Sequence, residues 1–584
     1  MTEYFEVIER DGPGRRGTLR LDDPVTTPCC IDDVLVDSGS RWPAGPSAPE
    51  PRMDAITMLP SRGFPPGTDD RVVEAFDEEP ETMDAPSGTV VTPDTASDRG
   101  TDVYAVSTVQ SIVGHASAFQ EAVVSVRESI PPDSALYFSG VATPSNVAIL
   151  VYAGVDVVDE TQARIAGMQG TYLTRDGSWP VEELDEPTCP CEACRSGEIG
   201  DSPETCVAHN VAALRSALAA IRERIRQGRL REYVSAQVRH EPWQTAALRR
   251  LDNDGTYLER NEPIFRRRSF DATTEDDLRN PAVTRFIDRV TSRYRSRFRT
   301  PLVLLPCSAT KPYSESQSHG QFKGAIDYRA HRVSLSSPVG VVPQELECTY
   351  PAQHYDVPVT GSWSATEREV VGDALERYLE INDYPSVIAH VPPGPYHEIV
   401  EAAADAVGIE PTYTVEEHPT TGASLAALDD ALTGELKYSK RDRRQHTVRA
   451  IADYQFGRGA GDELFDDVHI EAPWPKHRVL DADDELLATI VPGYGVLALT
   501  IAGARRWHQS GVPTKRVEID DFVPHGDVLA PGILDADDAI RVGDEVIVEG
   551  PSVFAIGRAT MHGRALRESS RGVAVDIRHR EERA

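Results

Sequence analysis

The chain of 584 residues contains no run of 18 or more apolar residues. A helix needs about 20 such residues to cross a bilayer, so we expect no membrane span. The first residues, MTEYFEVIERDG, are acidic and lack the basic and apolar regions of a secretory signal peptide. The sequence therefore predicts a cytoplasmic protein with no membrane partner.

Positive charge is scarce, because 60 Lys and Arg residues stand against 94 Asp and Glu residues and give a formal net charge of -34. Such acidity disfavours contact with phosphates. The acidic residues are spread over a chain whose hydrophobic fraction is an ordinary 40%. This pattern is also typical of a halophilic protein, because a highly charged acidic surface keeps a protein soluble in high salt. We favour this interpretation over an ordinary acidic cytosolic enzyme. An RNA binder in high salt must rely on shape, stacking and base contacts.

Cysteine is also infrequent, but three of the eight cysteines lie within six residues: Cys189, Cys191 and Cys194. His209 follows at the start of a helical pattern. In an intracellular protein this clustering indicates a metal site and not disulfides. Three thiolates and one imidazole can surround Zn²⁺ as a closed tetrahedron, which predicts a structural role. Cys206 is a rival fourth ligand, and reduced cysteines without metal are the alternative.

The length predicts about three to five domains. Residues 38–101 are rich in Pro, Gly, Ser and acidic residues and predict mostly loop. Strands alternating with helices then predict a parallel sheet or part of a (β/α) barrel. The predicted strands lie at 103–108, 135–140 and 154–159, and the predicted helices at about 110–128, 144–153 and 206–251.

A second α/β region begins with an apolar strand at 301–307. Its other predicted elements are helices near 365–382 and 396–407 and strands at 386–391 and 411–415. A basic segment covers residues 437–449, and from about 464 onward the pattern predicts mostly strands.

The loop after the strand at 301–307 carries an unusual density of reactive groups. Cys307, Lys311, Tyr313, Ser316 and His319 lie within thirteen residues. Catalytic groups in α/β sheets gather at the carboxyl ends of strands, and a nearby cation favours the thiolate form of a cysteine. We therefore predict a catalytic loop. The alternative is a small core cysteine with hydroxyls that cap a helix.

The zinc segment, with C-x-C-x-x-C followed by His-Asn and a helix, resembles that of archaeal tRNA-guanine transglycosylases. The resemblance extends to residues 5–12, 17–19, 138–142, 154–159 and 172–177. It places Asp159 at the position of the family's nucleophile. Only 188 residues precede Cys189, whereas a (β/α)₈ barrel takes about 250. We therefore expect a shortened, degenerate barrel in which Asp159 is a relic.

The catalytic loop itself resembles the PC-x3-KPY-x2-S-x2-H signature of the archaeosine synthases, which are paralogues of the transglycosylases. It matches at Pro306, Cys307, Lys311-Pro312-Tyr313, Ser316 and His319. The resemblance implies action on tRNA that carries 7-cyano-7-deazaguanine at position 15 of the D-loop. The nitrile is converted toward archaeosine by an amine, which could be lysine, a glutamine-derived amine or free ammonia. In some members a radical-SAM lyase completes the pathway.

Nitrile chemistry suggests roles for these residues. The thiolate of Cys307 can add to the electrophilic nitrile carbon, and an amine can then displace the sulfur. His319 or Lys311 would move the protons, and Asp356 could bind the amine donor.

The last residues resemble a PUA domain, a small β-barrel-like RNA-binding module, in the segments 528–533, 535–548, 555–559 and 571–575. Despite the acidic total, basic residues lie in or just before it. We expect these to contact RNA: Arg505, Arg506, Lys515, Arg516, Arg541 and Arg558.

The sequence thus predicts a multidomain α/β protein that acts on tRNA. The expected domains are a degenerate transglycosylase-like domain with a zinc subdomain (1–290, zinc at 185–255), an α/β catalytic core (299–430), a small α+β domain (431–510) and a PUA domain (511–584). An active transglycosylase and a non-catalytic tRNA-binding protein are the alternatives. The transglycosylase resemblance also implies a homodimer.

Overall fold

A computed structural model describes residues 3–37, 50–59, 67–76, 83–196, 199–200, 202–358 and 362–583. The chain forms two compact units. The first comprises Met1–Glu262, Val528–Ile533 and Met561–Ala574, and the second comprises Pro263–Asp527, Leu534–Thr560 and Val575–Ala584. Within the described ranges, no helix has the length and apolar character needed to cross a membrane.

The first unit opens with a three-stranded antiparallel sheet formed by Phe5–Asp11, Gly14–Leu19 and Val25–Thr27. The tight turn after Asp11 needs Gly12, which has a φ of +63°.

The main sheet of the first unit is parallel throughout. Its strands, in spatial order, are Cys29–Cys30, Val157–Val158, Ala135–Phe138, Val103–Val106, Ser87–Val91, Ile56–Met58 and Leu35–Asp37. Residues 29–37 thus supply both edge strands. One chain segment therefore joins the two ends of the sheet, which gives the shortened barrel-like arrangement that the sequence predicts.

The prediction that residues 38–101 are mostly loop is confirmed for the described part of that segment, although not every residue there is loop. It contains the strands Ile56–Met58 and Ser87–Val91 and the helix Asp70–Phe76. These strands were not predicted, because they bury polar residues such as Thr57 and Thr89 and therefore contain no continuous apolar run. Residues 38–49, 60–66 and 77–82 lie outside the described residues.

Helices flank the parallel sheet and surround the cysteine segment. The predicted helix at 110–128 is divided at Gly114, whose φ is +99°. The α-helices of the first unit are Asp70–Phe76, Val109–Ile112, Ala116–Ser129, Val147–Ala153, Thr161–Met168, Glu192–Arg195, Pro203–Gln227, Leu230–Gln237, Pro242–Asn253, Gly255–Asn261 and Gly563–Glu568. A hairpin of Thr171–Thr174 and Gly177–Pro180 precedes the cysteine segment.

The long helix Pro203–Gln227 has clear sequence signals at both ends. The Ser202 side chain accepts a hydrogen bond from the amide of Glu204, and the helix stops at Gly228 with a φ of +66°. Its buried face includes Leu214, Leu218 and Ile221. The helix therefore holds His209 firmly against the core.

The second unit contains a five-stranded sheet. In spatial order its strands are Gly340–Pro343, His331–Ser336, Leu302–Pro306, Val387–Ala389 and Thr412–Tyr413. Only the first pair is antiparallel. The helices around it include Pro281–Ser292, Gln317–Ile326, Ala365–Ile381, Pro395–Val407 and Gly422–Ala431. The predicted α/β region is confirmed, with helix and strand ends shifted by a few residues.

The rest of the second unit is mixed. The basic segment 437–449 lies mostly in the helix Lys440–Phe456, which is followed by the helix Ala460–Leu464. A four-stranded antiparallel sheet comprises His469–Glu471, Arg478–Leu480, Leu486–Val491 and Val496–Leu499, and the helix Ile501–Gln509 follows. The C-terminal strands of this unit are Arg516–Ile519, Glu545–Gly550 and Val553–Ala559, with most of Ile533–Ala536 and Val573–Glu582, whereas Val528–Leu529 belongs to the first unit.

Substitution of Gly167 tests how the helices of the first unit pack. A Cβ there would lie 2.6 Å from the backbone of Val207 on the long helix. We expect Gly167→Ala to lower the free energy of unfolding by about 1–3 kcal/mol, because the backbone of Val207 cannot move without disturbing its helix. Gly255→Ala is the matched control, because its Cβ would meet no atom within 4 Å. Hydrogen exchange of peptides covering both helices measures the difference, and equal protection in the two variants would contradict the packing described.

Candidate functional site

A cavity of about 820 Å³ lies at the carboxyl end of the strand Leu302–Pro306. The neighbours of this strand, His331–Ser336 and Val387–Ala389, lie on opposite sides of it. The connections that leave the strands therefore diverge and open a cleft, which is where ligands bind in sheets of this kind. Cys307 begins the loop that follows the strand and lines the cavity.

The thiol of Cys307 faces the phenol of Tyr396. Its Sγ lies 3.2 Å from Tyr396 Oη, and its backbone amide donates a hydrogen bond to the same oxygen over 3.3 Å. Tyr396 lies at the start of the helix Pro395–Val407, and its ring packs on Trp363 with a centroid distance of 4.7 Å. The thiol is thus half-buried in the cavity with one defined partner.

Lys311 brings a cationic group to the same cavity. Its Nζ lies 4.0 Å from the centre of the Tyr355 ring. Burial lowers the pKa of Lys311, while the negative charges of Cys307 and Asp356 act in the opposite direction. Tyr355 is itself fixed, because its hydroxyl lies 2.7 Å from the hydroxyl of Tyr313 and also bonds to Ser336.

His319 and Ser316 lie behind the cavity wall and support the loop. His319 Nε2 donates a hydrogen bond to the carbonyl of Pro306 over 3.0 Å, and its ring stacks on Tyr313. Burial lowers the pKa of His319 to about 4, with Arg332 contributing, so the ring is neutral near pH 7. Ser316 Oγ accepts a hydrogen bond from Ser308 Oγ over 2.8 Å.

Acidic side chains form another part of the cavity wall. Asp356 is exposed to the cavity, and one of its carboxylate oxygens accepts the amide of Val357. Glu367 also lines the cavity, but its carboxylate accepts from the amide of Ser364 and the hydroxyl of Ser337. Glu275 adds a further exposed carboxylate. This side of the cavity attracts cations.

The structure divides the six predicted catalytic residues into two groups. Cys307, Lys311 and Asp356 line the cavity, whereas Tyr313, Ser316 and His319 are buried behind it. Sequence reasoning missed three aromatic residues of the cavity wall: Tyr355, Trp363 and Tyr396. Tyr396 could have been found, because it follows the predicted strand at 386–391 and so belongs to the same carboxyl edge of the sheet.

The first unit contains the predicted metal cluster. The ligand atoms of Cys189, Cys191, Cys194 and His209 all lie within 4.8 Å of one another. His209 Nδ1 lies 3.6 Å from Cys191 Sγ and 3.3 Å from Cys194 Sγ. Ligands bound at 2.0–2.3 Å to one tetrahedral ion lie about 3.5 Å apart, so this donor set fits zinc.

Groups around the cluster orient the imidazole. His209 Nε2 donates to the carbonyl of Leu173 over 2.9 Å, which leaves Nδ1 free to face the sulfurs. The ring of Tyr172 stacks on that of His209 at 3.7 Å. Cys206, the rival fourth ligand, lies outside the cluster, and its thiol donates to the carbonyl of Thr171. These residues could hold a metal ion.

Asp159 lies at the end of the strand Val157–Val158 and is 4% exposed. Its carboxylate accepts hydrogen bonds from the hydroxyl of Tyr137 and from the amides of Gly140 and Thr161. A carboxylate surrounded by these donors is a poor nucleophile. The geometry favours the structural role that the sequence analysis expected.

The six basic residues predicted to contact RNA are not equally available. Lys515 is largely buried in an ion pair with Asp544, and burial lowers its pKa to about 8. Arg558 lies beside the stacked rings of Phe265 and Tyr494, 4.9 Å and 5.1 Å from their centres. These two side chains are engaged inside the second unit.

The other four cations lie nearer the surface. Arg505 pairs with Glu581, and Arg516 pairs with Glu549 over 2.6 Å. Arg506 donates to the carbonyl of Asp466, and Arg541 donates to that of Asp538. The RNA contacts of these residues stay a prediction.

Four family descriptions match parts of the chain. "Queuine tRNA-ribosyltransferase" matches residues 93–242, and "Domain of unknown function (DUF5591)" matches residues 283–432. "Patch-forming domain C2 of tRNA-guanine transglycosylase" matches residues 446–513, and "PUA domain" matches residues 515–580. The cavity with Cys307 therefore lies in the segment for which the matching description gives no function.

Similar proteins cover the whole chain. An archaeosine synthase of Haloferax volcanii is 54% identical over 100% of both chains. An archaeosine synthase subunit alpha of Methanosarcina acetivorans is 40% identical over 99% of both. A tRNA-guanine(15) transglycosylase of Methanothermobacter thermautotrophicus is 27% identical over 78% of this chain and 68% of its own.

Thiol labelling tests the exposure of Cys307. We expect iodoacetamide to alkylate Cys307 at least about tenfold faster than Cys348 at pH 8, because burial strongly raises the pKa of Cys348. Mass spectrometry of the two peptides measures both rates in one sample. Equal rates would contradict the cavity as described.

Proposed function

Since the chain belongs to the archaeosine synthase family, we propose that it adds an amine to the nitrile of 7-cyano-7-deazaguanine at position 15 of the tRNA D-loop. The observation that carries this proposal is the half-buried thiol of Cys307, which shares a cavity with Lys311 and Asp356. A nitrile needs a nucleophile, a proton donor and space for a second reactant. The cavity offers all three.

The first step is thiol addition. The sulfur of Cys307 attacks the nitrile carbon, and the product is a thioimidate bound to the protein. Lys311 suits the removal of the thiol proton, because burial lowers its pKa and increases its neutral fraction. His319 does not line the cavity but supports the same reaction, because its hydrogen bond to the Pro306 carbonyl fixes the loop that carries the thiol.

The second step is displacement of the sulfur by an amine. The carboxylates of Asp356 and Glu275 give the cavity an acidic side that favours a cationic amine donor. Lysine, a glutamine-derived amine and free ammonia all fit this description. If the donor is lysine, a C–N bond of the adduct must still be broken. We assign that cleavage to a separate radical-SAM lyase.

The PUA domain supports tRNA as the macromolecular substrate. Base exchange, the reaction of a transglycosylase, is the second candidate because of the match to that family. It is disfavoured by the hydrogen bonds that occupy the carboxylate of Asp159. The transglycosylase match also underlies our proposal of a homodimer.

Replacing the thiol tests the proposed reaction. We expect Cys307→Ala to lose at least about 1000-fold in conversion of nitrile-bearing tRNA, because the nucleophile is gone. Cys348→Ala removes a sulfur from the same unit outside the cavity and is the matched control. Mass spectrometry of nucleosides, after incubation with each candidate amine, measures the product.

The same assay separates the alternatives. Release of the modified base would indicate base exchange. Binding of tRNA with neither base exchange nor nitrile consumption would indicate a non-catalytic protein. Full activity of Cys307→Ala would refute the covalent step.

We propose that the cysteine cluster holds a structural Zn²⁺. The ion would be bound by Cys189, Cys191, Cys194 and His209, and it would tie the cysteine loop to the helix Pro203–Gln227. Four protein ligands leave no position for substrate. The cluster would thus stabilise the first unit without a part in the chemistry.

The metal proposal predicts one zinc per chain. Cys194→Ser should lose most of that zinc and lower the melting temperature, because a ligand of the folded state is removed. Cys206→Ser is the matched control, since this buried neighbour lies outside the cluster. Elemental analysis measures the zinc content. Equal zinc in both variants would refute the assignment of ligands.

A further inference from the structure

We propose that Tyr396 is the catalytic acid that protonates the nitrile nitrogen while Cys307 adds to the nitrile carbon. This inference rests on the proposed function and assigns a role to a residue outside the signature of the catalytic loop. Tyr396 comes from the helix Pro395–Val407, which follows a different strand of the sheet.

The geometry aims the phenol proton at the reaction. Tyr396 Oη already accepts a hydrogen bond from the backbone amide of Cys307, so its own proton points elsewhere. The sulfur of Cys307 lies 3.2 Å away and, once it is a thiolate, can only accept, so the phenol proton then points at it. When the sulfur bonds to carbon it becomes a poor acceptor, and the proton is released toward the adjacent nitrogen.

The protonation state suits an acid. Burial, together with the charge of Cys307, raises the pKa of Tyr396, so the phenol keeps its proton at neutral pH. The nitrogen anion that would form during addition is far more basic than a phenolate. Proton transfer from Tyr396 is therefore downhill in the transition state.

Other groups near the thiol are already engaged. His319 Nε2 donates to the carbonyl of Pro306 and faces away from the cavity. The hydroxyl of Tyr355 bonds to both Tyr313 and Ser336. Among the contacts of the described residues, Tyr396 has the hydroxyl that touches the sulfur.

The step balances. The S–H proton passes to neutral Lys311, an S–C bond forms, and one π bond of the nitrile breaks. The released electron pair on nitrogen takes the proton from Tyr396 Oη. The ammonium of Lys311 then reprotonates the phenolate, so the net change is addition of S–H across the nitrile.

Capture of the thioimidate tests this role. The protein is incubated with nitrile-bearing tRNA and no amine, digested with nuclease, and the mass of the Cys307 peptide is followed with time. We expect Tyr396→Phe to form the adduct at least about 100-fold more slowly than the unmodified protein, in line with the usual contribution of a general acid. Tyr413→Phe makes the same change on a partly exposed ring outside the cavity and should react normally.

Alkylation of Cys307 by iodoacetamide separates acid catalysis from positioning, because it needs the thiolate but no acid. It is measured at a pH where the thiol is fully ionised. Unchanged alkylation with slow adduct formation supports the acid role. Equal slowing of both reactions overturns it, as does adduct formation at the normal rate in Tyr396→Phe.

Two further results complete the test. If Tyr396→Phe does not fold, 3-fluorotyrosine at position 396 keeps the ring and the hydroxyl but is a stronger acid, so it should speed adduct formation. An unchanged or lower rate overturns the inference. If the unmodified protein forms no adduct and Cys307→Ala remains active, the covalent step fails and the role of Tyr396 fails with it, whereas the proposed function fails only if the unmodified protein does not consume the nitrile with any amine.

Discussion

The site depends on the position of one strand, Leu302–Pro306, in the middle of a mostly parallel sheet. Because its neighbours lie on opposite sides, the chain segments that leave them diverge and cannot fill the space at their carboxyl ends. Cys307 continues directly from this strand, and Tyr396 follows the strand Val387–Ala389. Two residues 89 positions apart thus meet because the sheet brings two strand ends together.

The loop that begins at Cys307 holds its shape through buried polar contacts. His319 bonds to the carbonyl of Pro306, and the hydroxyls of Tyr313, Tyr355 and Ser336 bond to one another. Buried polar groups that are fully paired fix a single arrangement, since breaking any one bond leaves an unsatisfied group. The signature residues therefore divide into those that face the cavity and those that position them.

The sequence allowed the α/β pattern, the metal cluster and the catalytic loop to be predicted, because each depends on residues close together in the chain. Cys189, Cys191 and Cys194 are separated by one and two residues, and Cys307 directly follows an apolar strand. The role of Tyr396 needed the spatial order of the strands, which local patterns do not contain. The strand Ser87–Val91 was missed because its buried residues are partly polar, and the engagement of Lys515 by Asp544 could not be read from its charge.

The first unit keeps a transglycosylase-like parallel sheet, yet the carboxylate of Asp159 is occupied by hydrogen bonds. The second unit has an accessible thiol in a cavity. The central claim is that chemistry occurs at Cys307 and not at Asp159. The most direct measurement is a cryo-EM structure with tRNA that carries 7-cyano-7-deazaguanine, prepared without amine. We expect the base in the cavity with its nitrile carbon bonded to Cys307 Sγ, and a base bound beside Asp159 would contradict the account.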